Sequence, residues 1–103
     1  MRRGELWWAD LPEPIGRRPV ILFSRDASYH VRSRVTVVPV TTRVRGLPVE
    51  VALGQEDGLP RACVANTDEI TTVTASRLAK RIGRLAPDKL RAVEEALRFA
   101  LGL

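Results

Sequence analysis

The sequence predicts a mainly β fold, a small and strongly bent antiparallel sheet or barrel followed by one C-terminal α-helix. Short apolar segments rich in β-branched residues alternate with turn residues over positions 5–85, which indicates five to seven strands. Apolar residues then recur at spacings of three and four, as in a helix. At 103 residues the chain is predicted to form one domain, residues 1–103, with a single modest core.

The first half of the chain contains three predicted strands. Leu6–Ala9 forms the first strand, and two prolines and a glycine at 10–16 make the following segment a loop. Arg18–Ser24 is a continuous apolar run after its first residues, which predicts a strand buried on both faces. The polar segment Arg25–Arg34 is irregular, with room for one helical turn. Val35–Thr41 is β-branched and forms the third strand.

The second half contains shorter elements that are separated by turns. Alternation over Pro48–Leu53 predicts a fourth strand, and a turn follows at 54–58. The remaining predicted elements are a short pair of strands at Ala62–Ala65 and Glu69–Val73, a short helix at 74–78 with Thr74 as its N-cap, and a last strand at Arg81–Leu85.

The final segment has the clearest helical signals. Pro87 suits the first turn, Asp88 lies near the positive end of the helix dipole, and Gly102 provides the stop. One apolar face is expected to pack on the sheet, formed by Leu90, Val93, Leu97 and Leu101 with Ala96 and Ala100.

Positive charge is concentrated in the first half of the sequence. The chain has a net charge of +5; residues 1–45 contain nine arginines and four acids, whereas residues 46–103 contain eight basic and eight acidic residues. A one-sided basic surface suits a polyanion, most simply nucleic acid. All but two of the basic residues are arginine, which binds phosphate in a bidentate manner that lysine cannot match.

Several classes of protein are excluded by composition. No apolar run approaches the roughly 20 residues that a membrane span needs, and no apolar signal-type core follows the basic N-terminus. The single cysteine, Cys63, rules out an internal disulfide and a multi-cysteine metal site, and its apolar neighbours predict a buried side chain. We therefore expect a cytoplasmic protein with no membrane partner, no metal and no cofactor.

Arginine and hydroxyl side chains stand at the ends of two predicted strands. Arg17 and Arg18 begin the second strand, and Thr41 and Thr42 end the third. A guanidinium group beside a hydroxyl is suited to binding a phosphate.

Further polar residues are candidates for the same function. Arg43 and Arg45 alternate, so both side chains can project to one side of an extended segment and follow a nucleic-acid backbone. If the bound phosphate ester is cleaved, the candidate general bases that would take a proton from the nucleophile are His30, the only histidine, and Glu13. Three hydrogen-bonding side chains can contact the bases of a nucleic acid or form a plain Asx-type turn: Asn66, Asp68 and Glu69.

The adjacent residues Trp7 and Trp8 point to opposite faces of the first strand, so at most one of them faces the core.

The order of short motifs along the whole chain resembles the MazF/PemK family of toxin endoribonucleases. The motifs, taken in order, are Arg3-Gly4-Glu5-Leu6-Trp7-Trp8-Ala9-Asp10-Leu11-Pro12, Arg18-Pro19-Val20-Ile21-Leu22, Val35-Thr36-Val37-Val38-Pro39-Val40-Thr41-Thr42, Leu47-Pro48-Val49-Glu50-Val51, Asp57-Gly58-Leu59, Ser76-Arg77-Leu78 and Arg81-Ile82-Gly83-Arg84-Leu85. The resemblance implies an SH3-like barrel of the CcdB/MazF type that forms a homodimer. It also implies a type II toxin that cleaves single-stranded mRNA at selected sequences without metal, through attack of the 2′-hydroxyl on the phosphate. Its implied partner is a cognate antitoxin with an acidic C-terminal segment.

The resemblance also assigns two catalytic residues. The family's arginine before the Pro-Val pair falls on Arg18, and its threonine after the Val-Pro-Val strand falls on Thr41. Two departures stand out: the loop before Arg18 is shorter than in many members, and the family's frequent Asp-Gln-Ile-Arg segment reads Asp68-Glu69-Ile70-Thr71.

Two alternative functions remain open at this stage. One is a non-enzymatic, CcdB-like toxin that poisons gyrase on the same fold, since a fold alone does not fix function. The other is a degenerate member that only binds RNA or an antitoxin, which the changes at Glu69 and Thr71 keep open. Arg18 and Thr41 favour cleavage, because a gyrase poison does not need them.

Overall fold

Seven antiparallel strands and one α-helix make up the computed structural model, which describes residues 1–103. The strands are β1 (Glu5–Leu11), β2 (Gly16–Leu22), β3 (Arg34–Thr41), β4 (Glu50–Leu53), β5 (Cys63–Asn66), β6 (Thr71–Thr74) and β7 (Leu78–Arg84), and the helix is α1 (Pro87–Leu101). Four short 3₁₀ helices lie at Asp26–His30, Gln55–Asp57, Thr67–Glu69 and Ala75–Arg77. The predicted mainly β fold with a C-terminal helix is confirmed.

Strand β3 is the centre of a bent and open sheet. The strand order is β4-β5-β3-β2-β1-β7, and β6 also pairs with β3. Along one edge of β3, Arg34–Val37 pair with β6 and Val40–Thr41 pair with β5. The change of partner falls at Val38 and Pro39, and Pro39 has no N–H to donate to a ladder. Because β4 and β7 do not pair, the barrel-like sheet stays unclosed.

The sheet buries apolar side chains on both faces, as the continuous apolar run of β2 predicts. The expectation of a single core is therefore wrong, because the sheet separates two core clusters. Alternation places Ile21 in the main core cluster and Val20 and Leu22 in a second cluster, and all three are completely buried. The main cluster also contains Val93 of α1, whereas the second lies under Tyr29 and Trp7. Each completely buried aliphatic side chain contributes about 1.5–3 kcal/mol to folding.

Helix α1 closes the main cluster and ends as predicted. It begins at Pro87, and Gly102 adopts the left-handed conformation, with φ of 70°, that ends the helix. The prediction that Leu101 packs on the sheet is wrong, because 55% of this residue is exposed. A helix of 15 residues is about 22 Å long, so its last turn extends past the cluster. None of the helices has the length and apolar character needed to cross a bilayer.

Several strand bounds differ from the sequence-based predictions. Strand β1 is Glu5–Leu11 instead of Leu6–Ala9, and β2 is Gly16–Leu22 instead of Arg18–Ser24, because the two strands pair as far as Leu11 and Gly16. Strand β4 begins at Glu50 instead of Pro48, and β6 is Thr71–Thr74 instead of Glu69–Val73 because a 3₁₀ helix ends at Glu69.

Three further differences concern single elements, and pairing with distant strands explains two of them. The segments predicted as a short pair form β5 and β6, but each pairs with β3 rather than with the other. Strand β7 begins at Leu78 instead of Arg81, because its pairing with β1 extends to Leu78. Two register shifts occur along this ladder. Thr74 precedes a 3₁₀ helix, yet its hydroxyl contacts Ser76 Oγ at 3.3 Å and does not cap the backbone.

Three side chains behave as the sequence indicates. Trp7 packs against the second cluster, whereas its neighbour Trp8 belongs to neither cluster. Cys63 is buried in the main cluster, and burial raises the pKa of its thiol.

Candidate active site

Arg18 and Thr41 come together at the open end of the second core cluster. The β2–β3 register pairs Val20 with Pro39 and Leu22 with Val37, so its continuation sets Arg18 opposite Thr41. Alternation also places both residues on the side that carries the second cluster. Arg18 Nη1 donates to Thr41 Oγ1 at 3.3 Å. The sheet therefore builds the guanidinium–hydroxyl pair directly from strand pairing.

The hydroxyl of Thr41 is oriented by two donors. Its Oγ1 accepts from Arg18 Nη1 and also from the backbone N–H of Arg43, at 3.1 Å. A hydroxyl has two acceptor lone pairs and one proton. Since both lone pairs are occupied, the proton is left to donate to a ligand. Arg18 retains free donors as well, and its buried Nε makes no hydrogen bond within the chain.

The Arg18–Thr41 pair lies in a groove of about 670 Å³. This main groove runs between the β1–β2 turn, β3 and β6, and its size falls in the range typical of ligand sites. The charged and polar residues of its lining are five arginines, one acid, one amide and four threonines: Arg18, Arg34, Arg43, Arg45, Arg77, Glu69, Asn66, Thr41, Thr71, Thr72 and Thr74. The excess of arginine over acid makes the groove suitable for a polyanion.

Glu50 holds the loop that carries two of the groove arginines. Its carboxylate accepts from the backbone N–H groups of Arg45, Gly46 and Leu47, at distances between 2.8 and 3.3 Å. Desolvation raises the pKa of Glu50, but these backbone hydrogen bonds outweigh it and the net pKa is lowered. Both Arg43 and Arg45 line the groove, so their alternation does bring the two side chains to one site.

Arg17 faces away from the groove, although it is adjacent to Arg18. It lies opposite Asp10 in the β1–β2 ladder and binds both carboxylate oxygens, at 2.7 and 3.1 Å. The hydrogen bond from Arg17 lowers the pKa of Asp10. The two adjacent arginines are therefore unequal, because only Arg18 keeps donors directed at the groove.

The connection between β5 and β6 supplies one amide and one carboxylate to the groove. Asn66 Oδ1 accepts from the backbone N–H of Asp68 at 3.0 Å, which is the Asx turn that the sequence allows. The amide nitrogen of Asn66 makes no hydrogen bond within the chain, and Asn66 and Glu69 both line the groove. Asp68 is exposed and does not line it.

The two candidate bases lie outside the groove. Glu13 is exposed in the β1–β2 turn, where its neighbour Pro12 lines the groove but Glu13 does not. His30 is exposed at the end of a 3₁₀ helix, away from the groove lining. Thr42 is exposed beyond the end of β3 and is also absent from the lining.

Sequence reasoning misses several groove residues. It does not single out Arg34 and Arg77, although Arg34 belongs to the basic first half and Arg77 to one of the resemblance motifs. It also misses the threonines of β6, because a short exposed strand rich in threonine gives no chemical signal by itself. No group of His, Cys, Asp or Glu side chains is arranged to hold a metal ion.

Comparison with known proteins identifies the family. The model of the PemK-like, MazF-like toxins of type II toxin–antitoxin systems matches residues 2–101, and the chain belongs to this family. It is 44% identical over 100 residues to the probable endoribonuclease MazF5 of Mycobacterium tuberculosis, covering 96% of this chain and 91% of that protein. It is 40% identical over 103 residues to the probable endoribonuclease MazF2 of the same species, covering 99% of each.

Solved structures share the fold. The M. tuberculosis toxin MazF-mt6 superposes with a TM-score of 0.89 at 32% identity, over 96% of this chain and 97% of that one. An endoribonuclease in complex with its cognate antitoxin, from a mycobacterial species, also gives 0.89 at 32% identity, over 100% and 96% of the two chains. The MazE–MazF complex of Deinococcus radiodurans gives 0.83 at 30% identity, over 100% and 96%. These likenesses do not favour the gyrase-poisoning alternative.

Proposed function

We propose that this toxin is a metal-independent, sequence-selective endoribonuclease that cleaves single-stranded RNA, with mRNA as its target. The observation that carries the proposal is the contact between Arg18 and Thr41 at the floor of a groove with five arginines and one acid. The endoribonuclease names of the relatives that the chain matches over nearly its whole length support the same activity.

The proposed reaction uses a nucleophile that the RNA itself supplies. The 2′-oxygen forms a bond to the adjacent phosphorus, and the bond from phosphorus to the 5′-oxygen breaks. The 2′-hydroxyl loses its proton and the leaving 5′-oxygen gains one, so the products are a 2′,3′-cyclic phosphate and a 5′-hydroxyl. The protein then has to align the attack and stabilise the negative charge that builds on the phosphate.

Arg18 and Thr41 suit these two tasks. The free donors of Arg18 can bind a non-bridging oxygen as its charge develops, and a donor of this kind is worth about 3–4 kcal/mol in the transition state. The proton of Thr41 can donate to a second oxygen of the same phosphate and fix its orientation. Because a guanidinium group holds its proton firmly at neutral pH, we assign Arg18 to charge stabilisation and not to proton donation.

We assign no side chain as general base. A general base typically contributes about 10²–10⁴-fold to a rate, and the candidates Glu13 and His30 lie outside the groove lining. In our proposal, water in the open groove takes the proton from the 2′-hydroxyl. Slow cleavage is the expected consequence.

Recognition is proposed to follow from the remaining groove residues. Arg43 and Arg45 bind the RNA backbone, whereas Asn66 and Glu69 contact base edges by hydrogen bonds. The other predicted RNA-binding residues lie outside the lining, so we propose that they act at most on flanking nucleotides: Arg17, Thr42 and Asp68.

The proposal includes partners and a location. A basic groove that binds RNA also suits the acidic C-terminal segment of a cognate antitoxin, so antitoxin and RNA would compete for it. The chain's similarity to an endoribonuclease solved with its cognate antitoxin supports this partner. From the family resemblance we propose a homodimer, and because the substrate is mRNA we propose that it acts in the cytoplasm.

Incubation of the purified protein with long, mixed-sequence single-stranded RNA in excess EDTA tests this function. We expect the wild type to cleave, and Arg18→Ala to lose about 10²–10³-fold in rate. Arg17→Ala is the matched control, since it removes the same charge from the adjacent position outside the groove, and it should cleave within a few-fold of the wild type. No cleavage by the wild type would refute the function. Full activity of Arg18→Ala would refute only the mechanism.

A further inference from the structure

A second basic pocket of about 200 Å³ adjoins the main groove. It lies over the connection between β2 and β3, and its polar lining includes Arg25, Arg32, Arg34, Ser24, Thr36 and Thr72. Arg34 and Thr72 line both the pocket and the main groove. An extended ligand can therefore pass from one to the other along the exposed side chains at the β3–β6 ladder.

The chemistry of this pocket favours a phosphate. Three arginines and no acid line it, and their guanidinium groups make no hydrogen bond or ion pair within the chain. The nearest acid in sequence, Asp26, does not line the pocket, and its carboxylate accepts from the backbone N–H of Arg3 at 2.7 Å. Ser24 Oγ accepts from the backbone N–H of Thr36 at 2.8 Å, which leaves its proton free to donate.

The loop that carries two of these arginines is ordered by Ser28, which is buried. The carbonyl of Arg25 accepts from both the N–H and the hydroxyl of Ser28, at 3.0 and 2.8 Å. The carbonyl of Ser28 in turn accepts from the N–H of Arg32 at 3.0 Å. The backbone positions of Arg25 and Arg32 are thus both fixed through one residue, so little loop ordering is left to occur on binding.

We propose that this pocket is a second phosphate-binding subsite, which holds the RNA backbone one or more nucleotides away from the bond that is cleaved. The proposal rests on the proposed function, because the RNA must already occupy the main groove. It gives a function to Arg25 and Arg32, two first-half arginines that do not line the main groove but lie beside it.

A length series of oligonucleotides tests the subsite. Binding of 2′-O-methyl RNA, which carries the phosphates but cannot make the 2′-attack, is measured by fluorescence anisotropy with chains of about 4 and about 12 nucleotides. The double variant Arg25→Ala/Arg32→Ala is compared with Arg61→Ala/Arg91→Ala, which removes the same charge from exposed positions outside both pockets. Circular dichroism and thermal unfolding establish that both variants fold.

We expect the pocket variant to bind the long chain about 10-fold more weakly and the short chain unchanged. The slope of its salt dependence for the long chain should become shallower by about 0.7 for each phosphate that the variant no longer binds. Arg25→Lys/Arg32→Lys, which keeps the charge but not the forked donors, should lie in between. The control variant should behave as the wild type.

Three outcomes would overturn the subsite: equal losses in the pocket and control variants, equal losses on short and long chains, or a loss of affinity confined to an acidic peptide. Cleavage of unmodified RNA in EDTA keeps the two proposals apart. If the wild type cleaves and the pocket variant binds the long chain normally, the subsite is wrong and the function stands. If the wild type neither cleaves nor binds RNA, the proposed function is wrong and the subsite fails with it.

Discussion

Arg18 and Thr41 are separated by 23 positions in the chain, yet their side chains meet at 3.3 Å across two neighbouring strands. The contact continues the β2–β3 register, and a second hydrogen bond to Thr41 Oγ1 comes from the backbone of Arg43. Rigid strands therefore hold the guanidinium and the hydroxyl before any ligand arrives. Such preorganisation is what electrostatic catalysis requires.

The free proton of Thr41 gives a prediction for catalysis. Thr41→Val keeps the β-branched shape and removes the donor, so we expect kcat to fall about 10²-fold, whereas Thr41→Ser should retain most of the activity. Measurement of kcat and KM on a defined RNA checks this. Equal activity of the valine and serine variants would show that the hydroxyl plays no part.

Glu69 is the only acidic side chain that lines the main groove, and this gives a prediction for specificity. Glu69→Gln removes a negative charge and replaces a pure acceptor with an amide that also donates. We expect tighter binding of RNA at low salt and a change in the preferred cleavage sequence, which mapping of cleavage sites on a long RNA will detect. Glu95→Gln, on an exposed part of α1, is the charge-matched control. Identical site preferences for all three proteins would argue against base contact by Glu69.

Glu50 provides a test of loop positioning. Glu50→Ala removes the acceptor of three backbone N–H groups and should let the loop that carries Arg43 and Arg45 move. Cleavage is expected to slow by about 10–100-fold, even though the variant has a higher positive charge near the groove. Rates measured at several salt concentrations separate the two effects. Faster cleavage would mean that local charge, and not loop order, controls the site.

Thr67 gives a prediction for stability. This completely buried side chain donates from Oγ1 to the carbonyl of Val49 at 2.6 Å, and lies 3.3 Å from the carbonyl of Ala96 in α1. Thr67→Val keeps the volume but removes the hydrogen bond, at a cost of about 1 kcal/mol in the free energy of unfolding. Urea denaturation measures the loss. The same substitution at Thr72, which is exposed, should leave that free energy almost unchanged.

Tyr29 gives a prediction for the stability of the folded protein at alkaline pH. Burial raises its pKa to about 12, so it is the neutral phenol that the folded state favours. Because the unfolded phenol titrates near 10, stability should fall as pH rises from about 10 towards 12. The chain has one tyrosine, and its absorbance therefore reports the titration without overlap from other tyrosines.

Tyr29→Phe is the control variant for this loss of stability at alkaline pH. The Tyr29 hydroxyl is buried and makes no hydrogen bond of good geometry, although Ser24 lies near enough to oppose part of the rise in its pKa. The variant should therefore stay within about 1 kcal/mol of the wild type near neutral pH and should lack that part of the alkaline loss. A native titration midpoint near 10 would contradict the burial of this group.

Local patterns predict the elements that depend on neighbouring residues. The helix follows from the spacing of Leu90, Val93 and Leu97 together with Pro87 and Gly102, and β2 follows from its continuous apolar run. Patterns fail where a distant strand decides the outcome. Strand β7 is longer than predicted because β1 pairs with its first residues. Strands β5 and β6 do not pair with each other, because each of them pairs with β3.

The basic first half, the arginine and hydroxyl residues at two strand ends, and the series of strands followed by a helix can all be predicted from the sequence alone. Which arginines share a site depends on how the strands pair in the folded chain. Strand alternation separates Arg17 from Arg18, and the β3–β6 ladder sets Arg34 between the main groove and the second pocket. Local patterns cannot predict this, because the direction of a side chain depends on its register against a partner strand that is far away in the sequence.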